Sequence, residues 1–314
     1  MADPLPAATG AKGYDRSIRT PDPTSPSHHL TPADATPWRA ALGLLAAADL
    51  ARRPCLVVSD FDGTISRIGL DPWGSRVQPQ AQRALRRLAG MPGVEVVLLS
   101  GRTAVDLVGR VRVGGATYLG NHGLEAGFLP RGARAETLAV VADGTFEAFS
   151  AYAERLAEAV PAAIGEPWII VEPKPPAVTF WFRSAPDIAA AGRQVQDAID
   201  RLDPEGRFER FVGRRAIELR PPGAMAKREA FGALLEERRP GLVVLLGDDR
   251  SDAEAFAVLR SARAAGRLAG LALAVHTHPE VSPAVAAEAD AMLGSPSETA
   301  RFLAGLARAL TVGT

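Results

Sequence analysis

The chain has 314 residues, 47% of them hydrophobic, which is enough apolar material for one large domain or two modest ones. Its 36 basic and 36 acidic residues balance, so the overall charge predicts no nucleic-acid partner, although clustered Lys and Arg could still form a local basic pocket. No apolar stretch approaches the roughly 18–20 residues that span a bilayer, so no membrane partner is expected. The single cysteine, Cys55, excludes an internal disulfide framework. Together with an N-terminus that lacks the profile of a secretory signal, it favours a cytoplasmic location.

The N-terminal part of the chain alternates between predicted helices and short apolar strands. Residues 1–36, rich in Pro, Ala, Thr and Ser and without periodicity, are expected to form a disordered tail in which His28 and His29 are solvated. Helical spacing follows from Trp38 to Arg52. Continuous apolar runs, typical of strands covered on both faces, occupy 55–59, 94–99 and 116–119, and helices are predicted over 79–89 and 103–112.

The middle of the chain has a different pattern, in which 177–183 alternates between two sets of side chains and is rich in aromatic residues. Strands are predicted over 168–171, 177–183, 208–212 and 215–219, the last two joined at Gly213-Arg214, and helices over 144–160 and 186–202. Strand–turn–strand pieces of this kind favour an antiparallel sheet with helices on one face. We therefore predict a smaller inserted domain over 129–219.

After the insertion the first pattern returns, with strands predicted over 242–246 and 271–275 and helices over 225–238, 252–264 and 296–310. This alternation predicts the α/β class, with a doubly wound parallel-sheet core formed by residues 37–128 and 220–314. His276 and His278 at the end of the last predicted strand have no evident third ligand for zinc, so they are expected to be ordinary polar residues.

Polar residues follow several of the predicted strands of the core. Asp60-Phe61-Asp62-Gly63-Thr64 follows the first strand, Ser100-Gly101-Arg102 the second, and Gly247-Asp248-Asp249-Arg250-Ser251-Asp252 the fourth. Because ligands of parallel α/β sheets bind beyond the carboxyl ends of the strands, these side chains are expected to converge there. For Asp-x-Asp alone an ordinary surface turn is the favoured interpretation, and Ser-Gly alone is also typical of a turn. The presence of polar residues at several strand ends weakens that interpretation.

The charge of these motifs predicts a cation. Carboxylates from two neighbouring strand ends would repel one another unless a cation lay between them. Mg²⁺ fits best, because it prefers oxygen ligands and is typically held by one or two carboxylates plus phosphate. Lys227, at the start of the helix before the fourth strand, could neutralise a phosphate and a nucleophilic carboxylate. A solvated helix lysine is the alternative for that residue.

In this order, Asp60-x-Asp62-Gly-Thr, Ser100-Gly-Arg, Lys227 and Gly247-Asp-Asp-x-x-Asp252 resemble the four motifs of the haloacid dehalogenase-like phosphatases. The insertion resembles the larger α/β cap of that superfamily. More narrowly, the chain resembles the trehalose-6-phosphate phosphatases over about 53–260. The segments that carry this second resemblance are Gly120-Asn-His-Gly-Leu-Glu125, Val171-Glu-Pro-Lys174, Ile217-Glu-Leu-Arg-Pro221 and Gly247-Asp-Asp-Arg-Ser-Asp252.

The resemblance implies roles for four catalytic residues. Asp60 attacks phosphorus and becomes an aspartyl phosphate, since a carboxylate is already ionised at neutral pH. Asp62 protonates the leaving sugar oxygen and then deprotonates the attacking water. Ser100 and Lys227 fix phosphoryl oxygens, a positioning and electrostatic role typical of phosphoryl transfer.

The resemblance also implies how Mg²⁺ is held. The ligands are the Asp60 carboxylate, the Asp62 carbonyl and the Asp248 carboxylate, and either Asp249 or Asp252 bonds the metal-bound waters. The charge of Mg²⁺ offsets that of the phosphate, which otherwise repels the nucleophile.

The implied sugar-binding residues are Glu172, Lys174 and Glu218 in the cap and Arg102, His122 and Glu125 in the core. Charged groups suit a hydroxyl-rich ligand because they form charge-assisted hydrogen bonds, whereas the alternative for the cap residues is an ordinary surface ion pair. Two positions depart from the family pattern: Pro175-Pro176 stands where Gly usually follows the lysine of the cap, and Arg228 stands where Gly usually follows Lys227. Neither removes a catalytic group, but the first could reshape the cap loop that grips the sugar.

The leading hypothesis is a phosphatase that acts on trehalose 6-phosphate, with a small-molecule sugar phosphate as its partner and a monomer or weak oligomer as its state. Another sugar phosphate, such as sucrose phosphate or mannosyl-3-phosphoglycerate, would need the same chemistry and a different cap pocket. A catalytically inactive sugar-phosphate sensor is a further alternative, but it would not need the acid Asp62. A response-regulator-like receiver would be shorter and leaves the inserted domain unexplained.

Overall fold

The computed structural model describes residues 36–47, 50–213, 215–276 and 283–312. The predicted disordered tail, apart from Thr36, lies outside the described residues, as do His28, His29, Arg214 and His278. In the ranges that are described, no helix is both long enough and apolar enough to cross a membrane.

The strands fall into two separate sheets. In chain order they are β1 Cys55–Ser59, β2 Val94–Leu99, β3 Ala116–Gly120, β4 Glu125–Leu129, β5 Val141–Ala142, β6 Ile170–Lys174, β7 Ala177–Trp181, β8 Glu209–Val212, β9 Ala216–Arg220, β10 Leu242–Gly247, β11 Ala269–Val275 and β12 Ala291–Leu293. The larger sheet has the order β12-β11-β10-β1-β2-β3-β4-β5. Its strands from β12 to β3 are parallel, and β4 and β5 are antiparallel to their neighbours.

Helices cover both faces of the larger sheet, as expected for a doubly wound fold. The helices are α1 Pro37–Ala46, α2 Pro79–Leu88, α3 Ala104–Val111, α4 Ser150–Ile164, α5 Ile188–Leu202, α6 Lys227–Arg238, α7 Arg250–Ala264, α8 Pro283–Glu288 and α9 Pro296–Val312. Apolar side chains of α1, α2, α3 and α9 form one core with one face of the sheet, whereas α6, α7 and α8 form a second core with the other. Because both faces are covered, the central strands are predominantly apolar, and the five residues of β1, including Ser59, are all buried.

The smaller sheet is antiparallel, has the order β6-β7-β9-β8 and lies in the middle of the chain. Val178, Phe180, Ile217 and Leu219 of its β7 and β9 pack against α4 and α5 in a third core. Alternation along these strands directs the intervening side chains to the other face, which carries the polar residues described below. We refer to this sheet and its two helices as the cap.

Some elements differ from the predicted ones. The first helix ends at Ala46 instead of Arg52, and the helix predicted from 144 begins as a 3₁₀ segment over Gly144–Phe149 before α4. β5 lies inside the predicted insertion of 129–219, yet it pairs with β4 in the larger sheet. The division of the chain into a core and a cap at 129 and 219 stays a prediction.

Candidate active site

Three neighbouring strands bring the predicted motifs to one edge of the larger sheet. β10, β1 and β2 are parallel and adjacent, with Ser59 in register with both Leu246 and Leu98. Their carboxyl ends therefore place the motifs that begin at Asp60, Ser100 and Asp248 side by side. The backbone N–H of Asp60 donates to the Leu246 carbonyl at 3.0 Å, which ties the first motif directly to the end of β10.

A buried group of three carboxylates lies at this edge. Asp60, Asp248 and Asp252 each offer an oxygen, and these oxygens lie within 4.8 Å of one another. Lys227, at the first residue of α6 and 2% exposed, places its Nζ 2.9 Å from Asp60 Oδ1 and 2.9 Å from Asp252 Oδ1. Lys227 is therefore buried against two carboxylates and is not a solvated helix lysine, whereas the predicted nucleophilic role of Asp60 stays a prediction.

Burial and charge perturb the pKa values in this group. Burial raises the pKa of Asp60 to about 6 even though Lys227 opposes the shift. Burial, followed by the charge of Asp60, raises the pKa of Asp248 well above its usual range. Although burial disfavours an ammonium, Asp252 and then Asp60 hold the pKa of Lys227 well above its ordinary value. The raised carboxyl pKa values show that this group favours further positive charge in addition to the ammonium of Lys227.

The donor set of this group fits a hard divalent cation. Three carboxylates and one ammonium leave an excess of negative charge, and oxygen donors are the ligands that Mg²⁺ prefers. The backbone beside them leaves room: Gly63 has φ +80°, and a Cβ there would lie 2.1 Å from Asp248 Oδ2. Thr64 donates from Oγ1 to Asp248 Oδ1 at 3.1 Å and so orients that carboxylate.

Asp249, by contrast, caps the helix that follows. It is the N-cap of α7, and its Oδ1 accepts from the Asp252 N–H at 3.0 Å and from Ser251 Oγ at 2.7 Å. Asp252 Oδ2 in turn accepts from the N–H groups of Asp248 and Asp249. The three-carboxylate group found among the described residues does not include Asp249 or the side chain of Asp62. Metal-binding roles for these two residues stay predictions.

Asp62 is held by Arg102. Arg102 Nε and Nη2 donate to the two carboxylate oxygens of Asp62, at 2.5 and 3.0 Å. The same guanidinium donates to Asp106 Oδ2 at 2.8 Å and to the Pro72 carbonyl at 2.7 Å. Arg102 is only 5% exposed, and these hydrogen bonds fix the position of its guanidinium group. Its side chain therefore positions Asp62, and the predicted contact of Arg102 with substrate stays untested.

Ser100 lies at the end of β2, buried beside the other motifs. Its Oγ accepts from the Arg102 N–H at 3.3 Å, and its carbonyl accepts from the His122 N–H at 2.9 Å. The residue after it has to be small, because a Cβ on Gly101 would lie 2.8 Å from the imidazole of His122. The Ser-Gly-Arg turn thus brings the hydroxyl of Ser100, the arginine and His122 into one compact corner.

The polar face of the cap contacts this corner through an ionic cluster. Glu218 binds Lys174 Nζ at 2.5 Å and lies 3.1 Å from His122 Nε2, and Lys174 Nζ also donates to the Gly101 carbonyl at 2.8 Å. Although burial opposes ionisation, Lys174 and then His122 hold the pKa of Glu218 well below its usual range. Burial lowers the pKa of His122, although the charge of Glu218 opposes this shift. The ionic cluster joins cap residues of β6 and β9 to core residues after β2 and β3.

Two other predicted sugar-binding carboxylates have partners of different kinds. Glu172 on β6 is 5% exposed and accepts a hydrogen bond from Trp181 Nε1 at 2.9 Å. Glu125, at the start of β4, accepts from the Ala104 N–H at 2.6 Å and so satisfies a free donor at the start of α3. Burial raises the pKa of Glu125. The structure gives Glu125 a helix-capping contact, and its predicted contact with sugar stays a prediction.

Sequence reasoning missed three residues that organise the site. Asp106 braces Arg102, Asn121 donates from Nδ2 to the Lys174 carbonyl at 3.0 Å, and Arg183 stacks 4.0 Å from the ring centroid of Trp181 while donating to the Gly69 carbonyl at 3.0 Å. Asp106 lies on the predicted helix over 103–112, four residues after Arg102, and this spacing could have indicated an ion pair. The hydrogen bonds of Asn121 with Lys174 and of Arg183 with Gly69 join distant parts of the chain and leave no local signal.

Comparisons with known proteins agree with this geometry. A family model described as trehalose-phosphatase matches residues 58–289. A trehalose-phosphate phosphatase of Mycobacterium avium is 32% identical over 283 residues, which are 87% of this chain and 68% of that protein. The chain spans only 15% of the length of two further relatives from Mycobacterium tuberculosis, which are uncharacterized glycosyl hydrolases.

Solved structures share the fold. The C-terminal domain of a trehalose-6-phosphate phosphatase from C. albicans superposes with a TM-score of 0.67 at 21% identity, over 87% of this chain and 97% of that one. A haloacid dehalogenase-like hydrolase from Bacteroides thetaiotaomicron superposes with a TM-score of 0.52 at 16% identity, over 82% and 97% of the two chains. The predicted fold class, a doubly wound parallel core with a smaller α/β cap, is thereby confirmed.

The family match covers more than half of the chain, and we conclude that the chain belongs to the trehalose-phosphatase family. The family resemblance inferred from the motifs is confirmed.

Proposed function

We propose that this protein hydrolyses trehalose 6-phosphate to trehalose and inorganic phosphate through a phosphorylated Asp60, with Mg²⁺ as cofactor. The observation that carries the proposal is the buried Asp60 carboxylate, which is bonded to Lys227 and grouped with Asp248 and Asp252. This group lies at the edge of the core that the polar face of the cap contacts. The comparisons support the substrate, because the family model and the Mycobacterium avium relative are both described by that activity.

The first chemical step transfers the phosphoryl group. An oxygen of Asp60 forms a bond to phosphorus while the bond between phosphorus and the sugar oxygen breaks, and Asp62 supplies the proton that this oxygen takes up. Lys227 Nζ lies 2.9 Å from Asp60 Oδ1 and favours the negative charge of the nucleophile. With a pKa of about 6, Asp60 is mostly ionised at neutral pH.

The second step releases phosphate and restores the enzyme. Water attacks phosphorus, Asp62 takes the proton from that water, and the bond between phosphorus and the Asp60 oxygen breaks. Ser100 stands at the adjoining strand end, where its hydroxyl can donate to a phosphoryl oxygen. Arg102 keeps Asp62 beside the reaction edge through its two hydrogen bonds.

Asp60 and Asp248 would hold Mg²⁺, with Asp252 next to them. When bound, the ion supplies positive charge that offsets the negative charge of the phosphate dianion and so reduces its repulsion of the carboxylate nucleophile. Glu172, Lys174 and Glu218 on the cap would bind sugar hydroxyls, and cap closure would exclude bulk water from the phosphorylated aspartate.

The test is a phosphate-release assay over a panel of sugar phosphates that includes trehalose 6-phosphate, sucrose phosphate and mannosyl-3-phosphoglycerate. We expect the highest kcat/KM with trehalose 6-phosphate, loss of activity in EDTA and its return with Mg²⁺. Asp60→Asn should lower kcat at least about a thousandfold, because an amide is a poor nucleophile. An active Asp60→Asn protein would refute the nucleophile, and a clear preference for another sugar phosphate would refute the substrate.

A further inference from the structure

Thr179 lies at the centre of the polar face of the cap. In the register of the smaller sheet, Thr179 on β7 stands opposite Glu172 on β6 and opposite Glu218 on β9. Directly opposed residues of neighbouring strands project to the same face, with Cβ atoms about 5 Å apart. The neighbours Val178 and Phe180 point instead into the apolar core under α4 and α5. Thr179 therefore stands between two carboxylates that the proposed function assigns to the sugar.

The hydroxyl of Thr179 has no hydrogen-bond partner among the described residues. The side chain is 3% exposed, and its Oγ1 is buried. Leaving a buried hydroxyl unpaired destabilises a folded protein. Valine has nearly the same shape and an equal or better preference for strands, so strand formation alone does not call for threonine here. The Thr179 hydroxyl can both donate and accept a hydrogen bond, yet it forms neither within the part of the chain that the structure describes.

Other unpaired polar atoms occur around the same ionic cluster. Asn121 Oδ1 and His122 Nδ1 are buried and unpartnered within the described part of the chain, although each residue makes a bond with its other polar atom. Both residues have positive φ, 47° and 61°, a strained conformation for side chains other than glycine that is typical of functional sites. A hydroxyl-rich ligand offers partners for donors and acceptors alike, and so could satisfy all three atoms.

We propose that the Thr179 hydroxyl is a further sugar-reading group, which hydrogen-bonds a hydroxyl of the substrate between Glu172 and Glu218. This inference rests on the proposed function of the site. Two contacts close the face in this structure: Lys174 Nζ with the Gly101 carbonyl, and His122 with Glu218. A sugar that displaces the Gly101 carbonyl from Lys174, or His122 from Glu218, would reach Thr179 between the two carboxylates.

The experiment compares the wild type with Thr179→Val and Thr179→Ser on two substrates, namely the sugar phosphate that the wild type turns over best and p-nitrophenyl phosphate, which has no sugar. Thr179→Val is expected to lower kcat/KM for the sugar phosphate about tenfold, the value of one hydrogen bond, mainly through KM. It should leave hydrolysis of the aryl phosphate within about twofold of the wild type. Thr179→Ser keeps the hydroxyl and should restore most of the loss.

Thermal unfolding separates this role from a structural one. Because the hydroxyl is unpaired, Thr179→Val should unfold at the wild-type temperature or above. The matched control is Thr299→Val in α9, another fully buried threonine, whose Oγ1 donates to the Ser295 carbonyl at 3.4 Å. This control should leave kcat/KM unchanged for both substrates.

Full sugar-phosphate activity in Thr179→Val, or equal losses on both substrates, would overturn the assignment. A preference of the wild type for a sugar phosphate other than trehalose 6-phosphate concerns the proposed function alone, since the Thr179 comparison is then made with the preferred sugar. A wild type that hydrolyses only the aryl phosphate would overturn both.

Discussion

Lys227 is the residue whose removal should reveal most directly how the site balances its charge. Replacement by Met keeps a similar length and volume but removes the ammonium that lies 2.9 Å from both Asp60 Oδ1 and Asp252 Oδ1. At an effective dielectric constant of about 20, each such pair corresponds to an attraction of roughly 6 kcal/mol. The cost of burying the ions, several kcal/mol per ion, opposes these attractions.

What remains after the substitution is a group of buried carboxylates without a cation. Removing one partner from a buried ion pair usually costs about 3–5 kcal/mol, and we expect Lys227→Met to lower the free energy of unfolding by that amount at pH 7.5 in EDTA. The carboxyl pKa values, already raised by burial, should rise further. Groups whose pKa is higher in the folded state bind protons there first. The deficit should therefore shrink as the pH falls from 7.5 through about 6 towards 5.

The assay is urea unfolding of the wild type and of Lys227→Met in EDTA at pH 7.5 and 5.5, with tryptophan fluorescence as the signal. Arg250→Met is the matched control, because the Arg250 side chain is 85% exposed and its ion pair with Glu254, at 3.8 Å, should contribute less than about 1 kcal/mol. A deficit for Lys227→Met below about 1 kcal/mol, or one that grows as the pH falls, would refute the view that Lys227 balances buried negative charge.

Two further predictions concern the polar face of the cap and the single cysteine. Glu218→Ala should lower kcat/KM for trehalose 6-phosphate about 10- to 100-fold, because it removes a charged hydrogen-bond partner and releases Lys174, while turnover of an aryl phosphate should change far less. Equal losses on both substrates would contradict a sugar-reading role. Cys55 is fully buried, and burial raises the pKa of its thiol to about 11. Thiol labelling at pH 8 should therefore follow global unfolding and accelerate with denaturant, and rapid labelling in native buffer would contradict this.

The central strands and their helices could be predicted because their pattern is local. Buried parallel strands such as β1 and β10 are almost wholly apolar, with Ser59 as the polar residue of β1, and this pattern is visible in the sequence itself. β4, with the sequence Glu-Ala-Gly-Phe-Leu, is neither continuously apolar nor regularly alternating. It becomes a strand through its antiparallel pairing with β3, which the sequence does not encode locally. β5 and β12, of two and three residues, are too short to produce a pattern.

The candidate site could be predicted as a set of motifs, but the partners of its side chains could not. Asp60, Lys227, Asp248 and Asp252 meet as the order of the motifs predicts. The sequence does not show that Glu125 caps α3, since this bond joins residues 21 positions apart that only the turn after β3 brings together. The cytoplasmic location and the monomer or weak oligomer stay predictions.

In the proposed mechanism, the different roles of Asp60 and Asp62 match the different cations that the two aspartates contact. Asp60 faces a lysine, whose single ammonium balances charge without fixing the plane of the carboxylate, and this suits a group that must form a bond to phosphorus. Asp62 meets the planar fork of Arg102, which is itself fixed by Asp106 and by its position 5.4 Å over the ring of Phe61. A carboxylate held in this way keeps one orientation, and to exchange a proton with the sugar oxygen it must leave at least one of the two hydrogen bonds. The residue between the aspartates thus contributes to the separation of their roles, because its ring supports the arginine that holds only one of them.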